Sequence, residues 1–231
     1  MNKLLTTIMS FIFVVTAFTS ANSIEFRLGA TAQGSAFYGT ADETRKDNGI
    51  KTSEEVIAGF SYGSAFAEVA FEEAFGVTFG LEYTPDSIHM NKTTRTISDQ
   101  ATNSTVRTGN DSGDQVIDAA VEDLMTAYIQ VPIMGSGLYA KVGYINGDLI
   151  PRETLATGST YNNVDLEGFE YGMGYMGSVT DLIFYKVEST FIDFDDIRSN
   201  GSEEGGTAGS FNTINARLGG VAAKASIGVR F

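Results

Sequence analysis

The chain has no cysteine and no tryptophan, a single histidine and only three prolines in 231 residues. Without cysteine there is no disulfide, no thiolate nucleophile and no cysteine-held zinc. One histidine leaves no room for a histidine-rich metal centre. Basic residues are scarce as well: 15 Lys and Arg stand against 29 Asp and Glu, a net charge of −14. A nucleic-acid partner needs a basic face, so this balance argues against one. Past residue 23 there is no long apolar run and no apolar stripe at helical spacing. No phosphate-cradling loop, nucleotide motif or metal-ligand spacing occurs, and no cofactor is expected.

The amino terminus holds the one apolar run. Lys3 precedes "LLTTIMSFIFVVTAF", which carries no charge, and the small-residue stretch "TSANS" follows. This is the layout of a signal peptide, with cleavage after Ala21 or Ser23. A membrane anchor is the rival reading, but the run is shorter than the roughly 20 residues a spanning helix needs. Residues 1–23 are therefore read as removed and 24–231 as the exported domain.

What fills that domain is alternation. Ile24, Phe26, Leu28, Ala30 and Ala32 share one strand face, with Glu25, Arg27 and Thr31 on the other. Similar patterns predict eight strands, about 24–38, 55–71, 74–84, 122–133, 138–146, 166–176, 182–193 and 212–231. In two of them the apolar set changes phase, at Gly63–Ser64 and at Gly219–Gly220. A β-bulge at each glycine predicts such a shift; reading each as a turn gives ten strands instead. The connections alternate between short (72–73, 134–137, 177–181) and long, polar ones (39–54, 85–121, 147–165, 194–211). All long loops then emerge at one end of an up-and-down sheet.

A lipocalin-like barrel, a sandwich and a membrane barrel all fit that layout. They differ in which face is apolar. The polar strand faces carry five acids, Glu25, Glu68, Glu82, Glu170 and Glu188, and five bases, Arg27, Lys141, Lys186, Lys224 and Arg230. In the long loops acids outnumber bases. A solvated surface has no reason to balance its strand charges and not its loops. A lumen does, because unpaired buried charge costs several kcal/mol. The apolar face is also rich in Phe and Tyr near strand ends, as an interfacial girdle would be. The expected fold is all-β: an eight-stranded antiparallel transmembrane barrel with short periplasmic turns and long extracellular loops.

The last eight residues, "KASIGVRF", alternate through Ala225, Ile227, Val229 and Phe231. Lys224, Ser226, Val229 and Phe231 fill the slots of an assembly signal of the form polar–x–Gly–x–x–apolar–x–aromatic, with Ser226 replacing glycine. In this the chain resembles small outer-membrane β-barrel proteins of the OmpA, OmpX and opacity-protein kind. The resemblance implies a bacterial outer-membrane location and contact with outer-membrane lipid and lipopolysaccharide. It also implies insertion by the barrel-assembly machinery. Its usual roles are non-enzymatic: adhesion, phage reception or envelope integrity through the loops. A narrow conduit for small or apolar solutes, as in OmpW-type barrels, is the alternative, and a membrane-embedded hydrolase ranks below it. For the last, His89 with Asp86 and Ser87 is the candidate group. Acid clusters at Asp111, Asp114, Asp118, Glu122 and Asp123, and at Asp193, Asp195 and Asp196, are candidate Ca²⁺ ligands without EF-hand spacing.

Overall fold

A computed structural model describes residues 24–44, 51–71, 75–89, 93–99, 111–133, 135–154, 161–201 and 213–231. The proposed leader lies outside them. Eleven strands follow in order: β1 Ile24–Thr44, β2 Lys51–Phe71, β3 Val77–Tyr83, β4 Ile88–His89, β5 Thr93–Asp99, β6 Asp111–Pro132, β7 Leu138–Thr154, β8 Val164–Ser178, β9 Ile183–Phe194, β10 Ile197–Asn200 and β11 Thr213–Arg230. All registered pairings are antiparallel, and β1 pairs with β11, so the sheet closes. The short β4 and β5 continue the line of β3 along β6, and β10 continues β9 along β11. The ring therefore has eight staves.

Registered pairs give its geometry. From Leu28 they run through Ala67, Leu81, Ala127, Tyr144, Phe169, Asp193 and Gly219, and return to β1 at Tyr38, ten residues further along. That stagger tilts the staves by about 40° from the axis. One residue along a stave then climbs about 2.5 Å and one step to the next stave about 3 Å.

The structure corrects the sequence reading in three places. Neither glycine site is a bulge or a turn. β2 pairs with β1 without a shift from Ile24–Phe71 to Thr44–Lys51, and β11 does so from Arg27–Arg230 to Thr44–Thr213. The phase change has another cause. Phe60 and Tyr62 point inward, as do Ser64 and Glu68 further along β2; the interior itself passes from apolar to ionic. Ala216 and Leu218, then Ala222 and Lys224, repeat the pattern on β11.

The one register shift among the described residues lies elsewhere, between Glu122 and Met125 on β6, with Asp123 at φ 51°. The three-residue step between Val121 and Leu124, both turned toward the core, is its trace in the sequence. Finally, the staves outrun their apolar alternation. The stretch 85–121 contains β4, β5 and the first part of β6, and β7 reaches Thr154. Backbone pairing continues there without a strict apolar–polar alternation in the sequence, so no period-two signal marks it.

Outward residues form an apolar belt. On β9 it covers Ile183–Phe191 before Asp193, and on β8 it ends at Phe169 before Glu167. Tyr83, Tyr144, Phe169, Tyr171 and Phe191 border it on the loop side, within a few Å of one level by the climb above. Phe26, Tyr175 and Tyr185 lie toward the other end. The belt is lopsided. On β1 the uncharged outward run extends from Ile24 to Thr40, and on β2 it reaches Ile57, which is 83% exposed. A shallow depression lined by Gly34, Ala36, Gly59, Ser61 and Ala223 marks this taller wall.

Candidate functional site

The interior has two storeys. In the one nearer the termini, the inward face of each stave carries polar or charged groups. Lys141 on β7 lies 2.9 Å from Glu170 Oε1, 3.4 Å from Glu82 Oε2 and 3.5 Å from Glu188 Oε1. Lys224 on β11 lies 2.9 Å from Glu170 Oε2 and 3.2 Å from Glu82 Oε2. Ser64 donates to the other Glu82 oxygen at 2.6 Å. Lys186 on β9 is paired with Glu68, which also accepts from Tyr128 at 2.7 Å. At the mouth, Arg27 is paired with Glu25 and stands 3.9 Å from Glu68, while Arg230 stands 3.8 Å from Glu25. All ten strand-face charges thus lie in the interior, in two ion-paired clusters that Tyr128 bridges through its hydroxyl on Glu68 and its ring beneath Lys141. Seven of them have side chains no more than 7% exposed.

Aromatic rings complete the packing. Tyr128 sits on the polar face of β6 between Thr126 and Gln130, and its ring lies 4.1 Å from Lys141 Nζ. The Phe66 ring lies 3.9 Å from Lys186 Nζ. Such contacts help desolvated cations keep their charge. Tyr128 lies across β3 to reach Glu68 on β2 because its paired residue Gly80 leaves room: a Cβ there would lie 2.2 Å from Tyr128 Cζ. The sequence reading missed Tyr128, Ser64 and Phe66. An aromatic placed in an otherwise polar alternation was the available signal.

The second storey, toward the long loops, is apolar. Phe37, Ile88, Leu124, Ile145, Leu166, Ile192, Phe194 and Ile197 form its buried cluster. The Phe37 ring packs tilted against Phe60 at 5.8 Å and against Phe194 at 6.4 Å between centroids. Together the storeys fill the bore with side chains, as an eight-stave barrel requires.

Of the terminal-strand residues, Lys224 and Ser226 point inward, Ser226 sharing a 2.8 Å hydrogen bond with Thr31. Val229 and Phe231 are exposed outside, Phe231 by 71%. The Phe231 backbone exchanges two hydrogen bonds with Phe26 and so finishes the closure.

The other candidates do not converge. His89 and Asp86 are exposed, and the Ser87 hydroxyl donates to Glu122 at 3.0 Å. Asp196 pairs with Arg217 at 3.0 Å. Asp193 and Asp195 are exposed, and the side chains of Asp111, Asp114 and Asp118 lie outside the described residues. Among the described residues, no three acidic or histidine side chains are grouped to hold a metal.

No family model and no curated protein matches the chain. Solved structures do. Neisserial surface protein A is 12% identical at a TM-score of 0.36, covering 87% of this chain and 97% of that one. Outer membrane protein OprG from Pseudomonas aeruginosa is 11% identical at 0.46, covering 91% and 97%. Ail, the attachment invasion locus protein of Yersinia pestis, is 12% identical at 0.33, covering 88% and 99%. Independently of those similarities, the closed register, the charged interior and the apolar exterior make this chain an eight-stranded antiparallel up-and-down β-barrel of inverted polarity.

Proposed function

We propose that the chain is a non-enzymatic barrel of the bacterial outer membrane that presents acidic loops and extended β-hairpins to the outside. One observation carries the reading: ionic side chains are buried while large apolar ones face out. Lys186 and Glu170 are at most 2% exposed, whereas Leu28, Met173, Val187 and Ile227 are exposed by 51–67%. In water this arrangement would cost the hydrophobic term twice over. Around a hydrocarbon slab of about 25–30 Å it is the favourable one. Ring closure supports it, since lipid offers no partner for an open edge.

The two packed storeys favour a structural or interaction role over a through-conduit. The purified barrel in a planar bilayer is therefore expected to show no steady ion current above background. It is also expected to migrate faster on SDS gels unheated than boiled. Full solubility without detergent would remove the membrane reading, and sustained single-channel steps would remove the closed interior.

Assembly adds a separate expectation. Deleting Phe231 removes the last pair of closure bonds and the exposed terminal aromatic together. The truncated protein is expected to fall several-fold in outer-membrane fractions yet still refold in detergent. Unchanged membrane levels would show that Phe231 is not read as a signal.

A further inference from the structure

We infer that the tall uncharged wall of β1 and β2 is where two copies of the barrel meet, related by a two-fold axis along the membrane normal. This rests on the membrane reading above. Three registered pairs build the wall: Gly34 with Ser61, Ala36 with Gly59, and Tyr38 with Ile57. All six residues are exposed on the outside. By the same climb as before, Tyr38 and Ile57 stand roughly 10–15 Å beyond the loop-side aromatic border, outside the hydrocarbon. Lipid can follow part of that height by thickening, at a cost that grows with each Å. A contiguous uncharged patch held out of the hydrocarbon, on a chain of net charge −14, marks a contact surface.

Height selects the partner. On β6 to β9 the outward charges Asp123, Asp148, Glu167 and Asp193 end the uncharged run at or near the border. A neighbour inserted by the same route stands at the same level and the same way up. The flank that matches this one is therefore the same flank of a second copy, and such an isologous contact closes at two. Charge allows the approach. At the rim Asp42 is paired with Lys51 at 2.8 Å and Asp196 with Arg217 at 3.0 Å, while Glu55 above and Asp193 to one side bound the patch. Shape allows it too. Tyr38 leans across Gly219, where a Cβ would lie 2.7 Å from its hydroxyl oxygen, and this leaves Ile57 as the most prominent side chain. Below these two, nothing on the β1–β2 wall is larger than Ser down to Ala32 and Gly63, so backbones can come close, the packing that favours association in lipid. The patch beyond the border covers about 300–400 Å² per copy, roughly half of a standard interface, which makes the pair weak and reversible. Insertion has already fixed the tilt and level of both copies, so less freedom is lost on pairing.

The absence of cysteine makes the test direct, since any thiol introduced is the only one. Ile57→Cys places it on the wall, Glu167→Cys at an exposed site on another flank, and Val187→Cys on the lipid-facing belt. Each variant is reconstituted in phosphatidylcholine liposomes at high lipid-to-protein ratio, after the gel shift confirms folding, and treated with a short bis-maleimide. Cross-linked dimer from Ile57→Cys is expected several-fold above the collisional yield from Glu167→Cys. Adding Ala36→Lys should return it to that yield, because like charges would then face each other across the axis. Longer acyl chains, which cover more of the wall, should lower it as well. Equal yields from Ile57→Cys and Glu167→Cys would overturn the inference and leave the wall to lipid, and so would a yield from Ile57→Cys that ignores both Ala36→Lys and chain length. A water-soluble maleimide keeps this failure apart from that of the membrane reading. If it labels Val187→Cys as readily as Glu167→Cys, the membrane reading fails and takes the pair with it; if Val187→Cys is protected while the dimer yields are equal, the pair alone fails.

Discussion

Replacing Lys141 by Met is expected to lower barrel stability by about 3–5 kcal/mol, the range for removing one partner of a buried ion pair. Among the described residues, Lys141 is the only cation that touches Glu82, Glu170 and Glu188 together. Without it, Lys224 still faces Glu82 and Glu170, but Glu188 loses the one cation it is paired with among the described residues. Carboxylates in a dry bore must then protonate, draw in water or move apart. Urea unfolding of the protein refolded into liposomes, read by the fraction resistant to SDS, measures the loss. The double change Lys141→Met with Glu170→Met should cost less than the single one, because it removes a charge of each sign. A single variant as stable as the unchanged protein would mean that water penetrates the network and that the bore is not closed.

Gly168→Val is expected to abolish the folded, fast-migrating gel form altogether. Gly168 pairs with Phe194, at the junction of the belt with the loop side. A Cβ at this position would lie 2.3 Å from the Asp193 carbonyl oxygen and 2.7 Å from the Phe194 Cα. Both are backbone atoms of β9, so no rotamer relieves the clash and the two staves must separate. Separation opens an edge in the membrane, where each unpaired backbone group costs several kcal/mol. Gly168→Ala should show a reduced yield of folded barrel, while Gly34→Ala should show none of this, since a Cβ there meets nothing within 4 Å. Normal folding of Gly168→Val would show that the β8–β9 register can slip.

The sequence made the barrel visible because its belt obeys a strict period of two, with Phe and Tyr marking the borders. Balanced charges on the polar faces were equally plain, since a bore that must neutralise itself leaves a count that can be made without coordinates. What stayed hidden follows from the same logic. Val121 and Leu124 signalled a bulge only through a spacing of three, while β4 has two residues and β5 a single aliphatic one, Ile97, too few to show an alternation. Phe60 and Tyr62 misled for the converse reason. Their apolar character was read as outward, when the inside of the barrel turns apolar above Ser64. Periodicity reports which residues share a side, and cannot say which solvent lies on that side where the interior changes composition. Tyr128 needed the third dimension, since its partners Glu68 and Lys141 come from other staves.

The taller uncharged wall on β1 and β2 has a consequence for the surrounding lipid. Beside β8 and β9 the greasy height matches an ordinary hydrocarbon slab, but past Ala36, Tyr38 and Ile57 it exceeds one. Exposed oily surface left in water is relieved by thickening the leaflet locally or by leaning the cylinder, each at a fraction of a kcal/mol per Å of mismatch. The protein would then sit askew in thin bilayers and straighten in thick ones. Its annulus would gather longer chains on one flank only, giving a round barrel a preferred compass direction in the plane of the membrane.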